Sequence, residues 1–201
     1  HILIGVPGNA QDTGRVESYG TFRRTLVSPD SIAGDRFGTS IDVDGHRLVI
    51  GAPGRRYTDD VYGDAYVFEG TSHGWSLDAS LAAPNRSRSG SFGQSVAVDG
   101  GRILVGSPWL FFQNERPGTV YVFEGVRWAS TATLSQPDAN HSFGDSIALD
   151  GNRAAIGSRL SDNGGTGFVY VFDGLEWSLS RQLVSDDPNR FGASISVSGR
   201  Q

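Results

Sequence analysis

The sequence predicts an all-β fold, a four-bladed β-propeller in which each blade is a four-stranded antiparallel sheet. Three observations predict this fold. One tetrapeptide recurs four times, each copy is followed by the same order of strand and turn signals, and the two ends of the chain complete each other's pattern. We expect the ring to close where the C-terminal strand pairs with the N-terminal segment.

The tetrapeptide F-G-x-S begins each repeat. Successive copies lie roughly 50 residues apart, a period typical of stacked repeat architectures. Each copy precedes a short apolar–polar alternation, which predicts a strand. The four copies are Phe37-Gly38-Thr39-Ser40, Phe92-Gly93-Gln94-Ser95, Phe143-Gly144-Asp145-Ser146 and Phe191-Gly192-Ala193-Ser194.

Turn residues and apolar runs predict the rest of each blade. Asp-Gly pairs at 44–45, 99–100 and 150–151 predict tight turns in which both central residues have positive φ. A second apolar strand follows and ends at Gly-Ala-Pro or Gly-Ser, and a third carries Tyr-Val-Phe. A fourth is predicted to begin at Trp75, Trp128 or Trp177.

The two ends of the chain supply one further blade. Residues 2–7 fit a second strand, 14–17 a third and 21–27 a fourth, while 191–198 supply the missing first strand. Such closure removes the exposed sheet edges that promote aggregation. We therefore expect one domain over residues 1–201, with blades at 37–84, 92–137, 143–185, and 191–201 plus 1–30.

Composition narrows the functional classes. The chain has no Cys, which excludes disulfides, thiolate metal sites and a cysteine nucleophile. The net charge of -5 and the lack of a basic stripe argue against nucleic-acid binding. No apolar run is long enough to predict a membrane span. The chain begins with His1 and not Met, so we expect a processed N-terminus, as in a secreted protein.

These motifs resemble the FG-GAP repeat family, which forms propellers in integrin α-subunits and in many bacterial secreted proteins. The resemblance implies an extracellular or surface setting, and adhesion or ligand binding more often than catalysis. It also leaves open that this chain is part of a larger ring, because the family's rings usually have more blades.

Calcium loops of the D-x-D-x-D-G type often accompany the family's repeats. Here the corresponding place holds one carboxylate per turn, as in Asp44-Gly45-His46. One carboxylate does not supply the about six to eight oxygen ligands that calcium takes. We therefore expect no metal and no other cofactor.

Features that do not repeat are the candidate site residues, and the first group lies in the loop after the second strand of the 92–137 blade. Trp109, Phe111 and Phe112 stand there among polar residues. Large apolar side chains in a loop favour a partner-binding surface. The alternative is a loop that folds over the neighbouring blade or plugs the ring.

The second group lies in the equivalent loop of the preceding repeat, which should share the same face. It comprises Arg55, Arg56, Tyr57 and Tyr62. Arginine binds carboxylates and sulfates bidentately, and tyrosine stacks on apolar rings, so these residues suit an acidic or carbohydrate ligand. A self-paired charge cluster is the alternative.

Asp42 is a candidate for the channel. Its counterparts in the other repeats are Ala97, Ala148 and Ser196, which are all small. If this row faces the channel, Asp42 places a single carboxylate there. We expect it to pair with an arginine or a water, and an acid–base role is the alternative.

Together these observations favour a secreted or surface-exposed, non-catalytic binding module with a protein or carbohydrate ligand. Two alternatives remain. In one, the protein assembles into a filament or surface layer because residues 193–198 pair with residues 2–6 of another copy. In the other, the channel mouth holds a hydrolase or lyase site that uses Asp42 or loop carboxylates.

Overall fold

The computed structural model describes residues 2–8, 13–20, 23–54, 63–85, 90–108, 118–136, 142–159, 168–185 and 191–199, where every regular element is a β-strand. None of these residues belongs to a helix long and apolar enough to cross a membrane. The strands are β1 (Ile2–Val6), β2 (Arg15–Tyr19), β3 (Arg23–Val27), β4 (Ser40–Asp44), β5 (Arg47–Ala52), β6 (Asp64–Thr71), β7 (Gly74–Leu81), β8 (Ser95–Asp99), β9 (Arg102–Ser107), β10 (Thr119–Glu124), β11 (Ala129–Leu134), β12 (Ser142–Asp150), β13 (Arg153–Arg159), β14 (Phe168–Asp173) and β15 (Ser178–Val184).

The strands form four antiparallel sheets in which each strand pairs with its neighbours in sequence. Blade 1 is β1–β3, blade 2 is β4–β7, blade 3 is β8–β11 and blade 4 is β12–β15. Blades 2 to 4 have four strands, as the sequence predicts, and blade 1 has three. The prediction of an all-β, four-bladed architecture is confirmed.

The hydrophobic core lies between the blades, in three clusters that join blades 1 and 2, 2 and 3, and 3 and 4. The phenylalanine of each F-G-x-S sequence is central to one cluster. Phe37, Phe92 and Phe143 are fully buried. Each packs against a tyrosine and a phenylalanine of the third strand of its own blade, with ring centroids 5.5–6.2 Å apart.

The glycine and serine of F-G-x-S fix the spacing between blades. A Cβ added to Gly51 of β5 would lie 2.0 Å from the carbonyl oxygen of Gly93 in the next blade, so only glycine fits there. Beside it, the Ser40 hydroxyl donates to the same carbonyl oxygen at 2.9 Å. The same arrangement joins Gly106 and Ser95 to Gly144, and Gly157 and Ser146 to Gly192.

The Asp-Gly turns differ from the prediction. The aspartate is the last residue of its strand, since Asp44 pairs with Arg47, and the two central residues are Gly45 and His46. Only the glycine has positive φ, at 56°, as in a type II′ hairpin. Because Asp44 lies outside the turn itself, its side chain extends toward the neighbouring blade.

Two of the predicted starts of fourth strands are also corrected. Trp128 and Trp177 precede β11 and β15 and have φ of 52° and 53°, so they belong to the turns. Both side chains are buried between blades, and the Trp128 indole N–H donates to Asp78 at 2.9 Å. Their packing, and not strand pairing, explains why tryptophan recurs at this place.

The described residues show no hydrogen-bonded pairing between the two ends of the chain. Residues 191–199 contain no strand, and β1 has β2 as its hydrogen-bonded neighbour. The C-terminal segment instead packs on blade 4, where the carbonyl oxygen of Gly192 meets Gly157 as Gly144 meets Gly106. Closure by pairing residues 193–198 with residues 2–6 stays a prediction.

Candidate binding surface

The two ends of each blade carry different kinds of connection. The Asp-Gly turns lie at one end, which we call the turn rim. The turns between third and fourth strands lie there too, because Glu69 pairs with Arg47 and Glu124 pairs with Arg102. The connections from second to third strand leave from the opposite end, which we call the loop face.

Carboxylates at the turn rim tie each blade to the next. Asp44 accepts a hydrogen bond from the backbone N–H of Gly100 at 2.7 Å. Asp99 accepts in the same way from Gly151, and Asp150 from Gly199 at 2.6 Å. The recurring Asp-Gly pair is therefore an inter-blade clamp as well as a hairpin turn.

Arginines of the second strands add a second tie at the same rim. The Arg47 guanidinium donates to the Gly100 carbonyl at 2.8 Å and lies 4.7 Å from the ring centroid of Trp128 in the next blade. Arg102 repeats this arrangement over Trp177, at 5.8 Å. Such cation–π contacts stabilise by about 0.5–2 kcal/mol, depending on solvent exposure.

Asp42 takes part in this inter-blade network. Its carboxylate is half-buried and accepts from the backbone N–H of Val98 in the next blade at 2.7 Å, and from that of Val43 at 2.9 Å. Backbone donors are thus its partners among the described residues, and the expected arginine or water partner stays a prediction. These contacts give Asp42 a role in joining blades 2 and 3.

Glycines anchor the ends of the long connections at the loop face. Gly63 lies just before β6, with φ of 71°, and a Cβ there would be 2.2 Å from the Phe92 carbonyl oxygen of the next blade. Gly118 has the same relation to Phe143, and Gly14 to Phe37. Each connection therefore returns to its blade at a fixed point against the next blade.

The candidate ligand-binding residues lie on these connections, outside the described residues. They are Arg55, Arg56, Tyr57 and Tyr62 between β5 and β6, and Trp109, Phe111 and Phe112 between β9 and β10. Both connections begin at a buried proline, Pro53 or Pro108, and end at a buried glycine. The strand topology starts and ends both of them on the loop face.

A buried polar cluster at the loop face was not anticipated from the sequence. The Ser28 hydroxyl donates to the Asp35 carboxylate at 2.6 Å, and the Tyr66 hydroxyl donates to Asp30 at 3.0 Å. Burial raises the pKa of Asp35 above its usual value, and the nearby charge of Asp30 adds to this, against the lowering effect of Ser28. Burial also raises the pKa of Tyr66. No spacing rule marks this cluster, because Tyr66 reaches it from a different strand.

Within the described ranges, no three or more His, Asp or Glu side chains are arranged to hold a metal ion. Asp64, the first residue of β6, is half-buried. The absence of a cofactor stays an expectation.

The described residues define a β-propeller scaffold, in which repeated polar groups join the blades and non-repeating connections leave from one face. The sequence profile of the FG-GAP repeat matches residues 21–68, 75–123 and 128–172, which is well over half of the chain. The protein therefore belongs to the FG-GAP repeat family, as its motifs indicate.

Comparison with solved structures supports the fold alone. A europium-containing methanol dehydrogenase is similar to this chain with a TM-score of 0.52 and 10% sequence identity. The match covers 72% of this chain and 24% of the dehydrogenase, so the chain spans about a quarter of that protein's length. No curated protein matches the sequence.

Proposed function

We propose that this protein is a non-catalytic binding module, acting outside the cell or at its surface, that recognises a protein or carbohydrate ligand through its loop face. The ligand-binding residues are Trp109, Phe111, Phe112, Arg55, Arg56, Tyr57 and Tyr62. The extracellular setting rests on the family, whose members are commonly surface or secreted proteins.

The observation that carries the proposal is the contrast between the two ends of the blades. At the turn rim the repeated residues, such as Asp44, Asp99, Arg47 and Arg102, are engaged in ties between blades. At the loop face the connections start and end at fixed points, while their sequences differ from repeat to repeat. A rigid scaffold that presents variable loops is a common design for recognition.

The composition of the loops indicates the chemistry of the ligand. The pair Arg55 and Arg56 suits a carboxylate or sulfate, since guanidinium groups bind such anions bidentately. Trp109, Phe111 and Phe112 supply the apolar anchor residues that dominate binding energy at many interfaces. An acidic carbohydrate, or a protein with an acidic and apolar epitope, satisfies both.

A glycan array that contains neutral, carboxylated and sulfated sugars tests the proposal. Arg55→Ser/Arg56→Ser and Trp109→Ser/Phe111→Ser/Phe112→Ser should each weaken binding by at least about tenfold, because each removes hot-spot contacts. Circular dichroism and thermal unfolding would show whether the variants remain folded.

Matched controls lie on the turn rim. Arg127→Ser and Val126→Ser/Leu175→Ser remove the same kinds of side chain from exposed turn positions. They should leave binding unchanged. Equal losses in the two sets, or no loss in the loop variants, would contradict the assignment to the loop face.

A further inference from the structure

Within the described ranges, blade 1 lacks the first strand that the other blades have beside their second strand. Next to Gly51, Gly106 and Gly157, a first-strand serine hydroxyl lies within 2.3 Å of where a Cβ would be. Gly5 of β1 meets the Gly38 carbonyl oxygen at 2.1 Å in the same way, but the nearest side-chain atom there is Cδ1 of Ile41, at 3.2 Å. The position beside Gly5 therefore matches the serine of an F-G-x-S strand.

Within the described residues no strand pairs with the outer edge of β1, and the outer face of blade 1 carries the isoleucines of β1 beside Glu17 of β2, which is ion-paired with Arg15 and Arg23. Ile4 is 47% exposed, whereas its counterparts Ile50, Val105 and Ile156 are buried between blades. Ile2, two residues before Ile4 and on the same face of β1, is also exposed. These side chains point to where a preceding blade would pack.

The complementary surface lies at the other end of the stack, on the outer face of blade 4. Leu183 is 42% exposed, whereas its counterparts Leu81 and Leu134 are 3% and 4% exposed. Phe191 is partly exposed, in contrast to Phe37, Phe92 and Phe143. The third-strand residues that would cover it belong to the following blade, and blade 1 offers Glu17 and Tyr19 at these places.

The turn rim of blade 4 differs from the rims of blades 2 and 3 in its contacts with a following blade. Arg102 pairs with Glu124 of its own blade at 2.6 Å, as Arg153 pairs with Asp173, but Arg102 also lies over Trp177 of the following blade, whereas no described residue follows blade 4 at the place of that tryptophan. Arg153 and Asp173 line a cleft of about 410 Å³, together with Asp150 and Gly199. The cleft lies where the formed interfaces hold the next blade's rim.

We propose that the outer face of blade 4, together with residues 191–199, binds blade 1 of a second copy of this chain. The C-terminal segment is held on its own blade 4 by the bonds from Ser146 to Gly192 and from Gly199 to Asp150. It does not lie at Gly5 of its own chain, and the proposal assigns that place to the C-terminal segment of the second copy. In the repeat register, Ser194 pairs with Gly5 and donates to the Gly38 carbonyl, and Ile195 pairs with Ile4.

Because the two surfaces differ and lie at opposite ends of the stack, the contact is head-to-tail. The contact is separate from the loop face, so it does not depend on the proposed ligand. Its geometry continues that of the three interfaces already formed within the chain, although blade 1 has Glu17 where the third strands of the other blades have a tyrosine.

The first experiment measures the mass of the chain by light scattering from micromolar to near-millimolar concentration. The wild type should rise from 21.5 kDa to multiples of that mass. Ile4→Arg and Leu183→Arg each place a charge in one half of the contact, and each should weaken self-association at least about tenfold. Val126→Arg, at a fully exposed turn position, should behave as the wild type.

Mixing the two variants tests the head-to-tail geometry. Ile4→Arg keeps an intact blade 4 face and Leu183→Arg keeps an intact blade 1 face, so an equimolar mixture should form a one-to-one dimer and nothing larger. A mixture that stays monomeric overturns the proposal. Circular dichroism of each variant separates loss of association from loss of folding.

A cysteine pair distinguishes a second copy from closure within one chain. The chain has no cysteine, so Ile4→Cys/Ile195→Cys introduces the sole pair. Oxidation should give covalently linked dimers and larger species. A cross-linked monomer, or no cross-link together with a mass of 21.5 kDa at all concentrations, overturns the proposal.

Discussion

At the scale of single residues, the three named positions of F-G-x-S have separate physical roles. Phe92 fills the space under Tyr121 and Phe123 of its own blade. The Gly93 carbonyl approaches Gly51 of the preceding blade, closer than any side chain permits. Ser95 donates to the Gly144 carbonyl of the following blade at 2.6 Å. One tetrapeptide thus forms part of two interfaces.

The buried carboxyl of Asp35 gives a prediction about pH. Its folded-state pKa is raised, so the folded protein holds this proton more tightly than the unfolded chain. The favourable contribution is full below the unfolded pKa and is lost as the pH rises through the folded pKa. Asp35→Asn accepts from Ser28 without a charge, so it should be more stable than the wild type at pH 7, with a difference that shrinks toward pH 4.

Urea unfolding of both proteins at several pH values measures this difference. Glu176→Gln, which removes a carboxylate from an exposed turn, is the control and should change stability little at either pH. If Asp35→Asn destabilises the protein more at pH 7 than at pH 4, contacts stabilise the charge of Asp35 and the interpretation is wrong.

The contact between Arg47 and Trp128 gives a second prediction at this scale. A double-mutant cycle with Arg47→Gln and Trp128→Leu should give a coupling free energy of about 1 kcal/mol, because the guanidinium lies over the ring and is largely shielded from water. Pairing Arg47→Gln with Trp177→Leu, which belongs to another interface, should give a coupling near zero.

At the scale of elements, the sequence unit and the structural unit are out of phase. Each match to the family runs from the fourth strand of one blade into the third strand of the next, as in residues 75–123, which extend from β7 to β10. A single sequence repeat therefore bridges two blades. Its folding depends on neighbours on both sides, as in other repeat proteins.

Most strands could be predicted because their signals are local. Period-two alternation, Asp-Gly turns and Gly-Ala-Pro ends lie within a few residues of the elements that they define. Details that depend on the next blade were missed. Examples are the turn position of Trp128, which is fixed by packing against blade 2, and the side chain of Asp44, which extends to Gly100.

Second strands approach the next blade closely, so replacing their glycines by alanine should lower the free energy of unfolding at those positions only. A Cβ on Gly106 would lie 2.2 Å from the Gly144 carbonyl oxygen, a backbone atom that moves only with its blade. Gly106→Ala should therefore destabilise the protein by about 2–3 kcal/mol. Gly101→Ala is the matched control, because nothing lies within 4 Å of its added Cβ, and it should cost less than about 0.5 kcal/mol. Equal costs in denaturant unfolding would contradict the tight blade contact.

At the scale of the whole molecule, the scaffold is better specified by the sequence than the candidate site. Apolar and glycine positions recur in the four sequence repeats, so each repeat supports the same assignment of strands and turns. Arg55, Arg56 and Trp109 occur once each, and a single loop gives no periodicity from which its conformation follows. The pairing of residues 193–198 with residues 2–6 is similarly hard to predict. The order of the strands is the same whether these residues pair within one chain or between two chains.

Three interfaces between blades are formed within the described residues, whereas the outer faces of blades 1 and 4 are exposed. Equivalent residues should therefore contribute unequally to the free energy of unfolding. Leu134 and Leu183 occupy the same place in blades 3 and 4, but Leu134 is buried against blade 4 while Leu183 is 42% exposed. In dilute solution, where the chain is monomeric, Leu134→Ala should cost about 2–4 kcal/mol of unfolding free energy and Leu183→Ala less than about 1 kcal/mol. Equal losses would show that blade 4 is covered by blade 1 of the same chain, because only a closed ring buries Leu183 without a second copy.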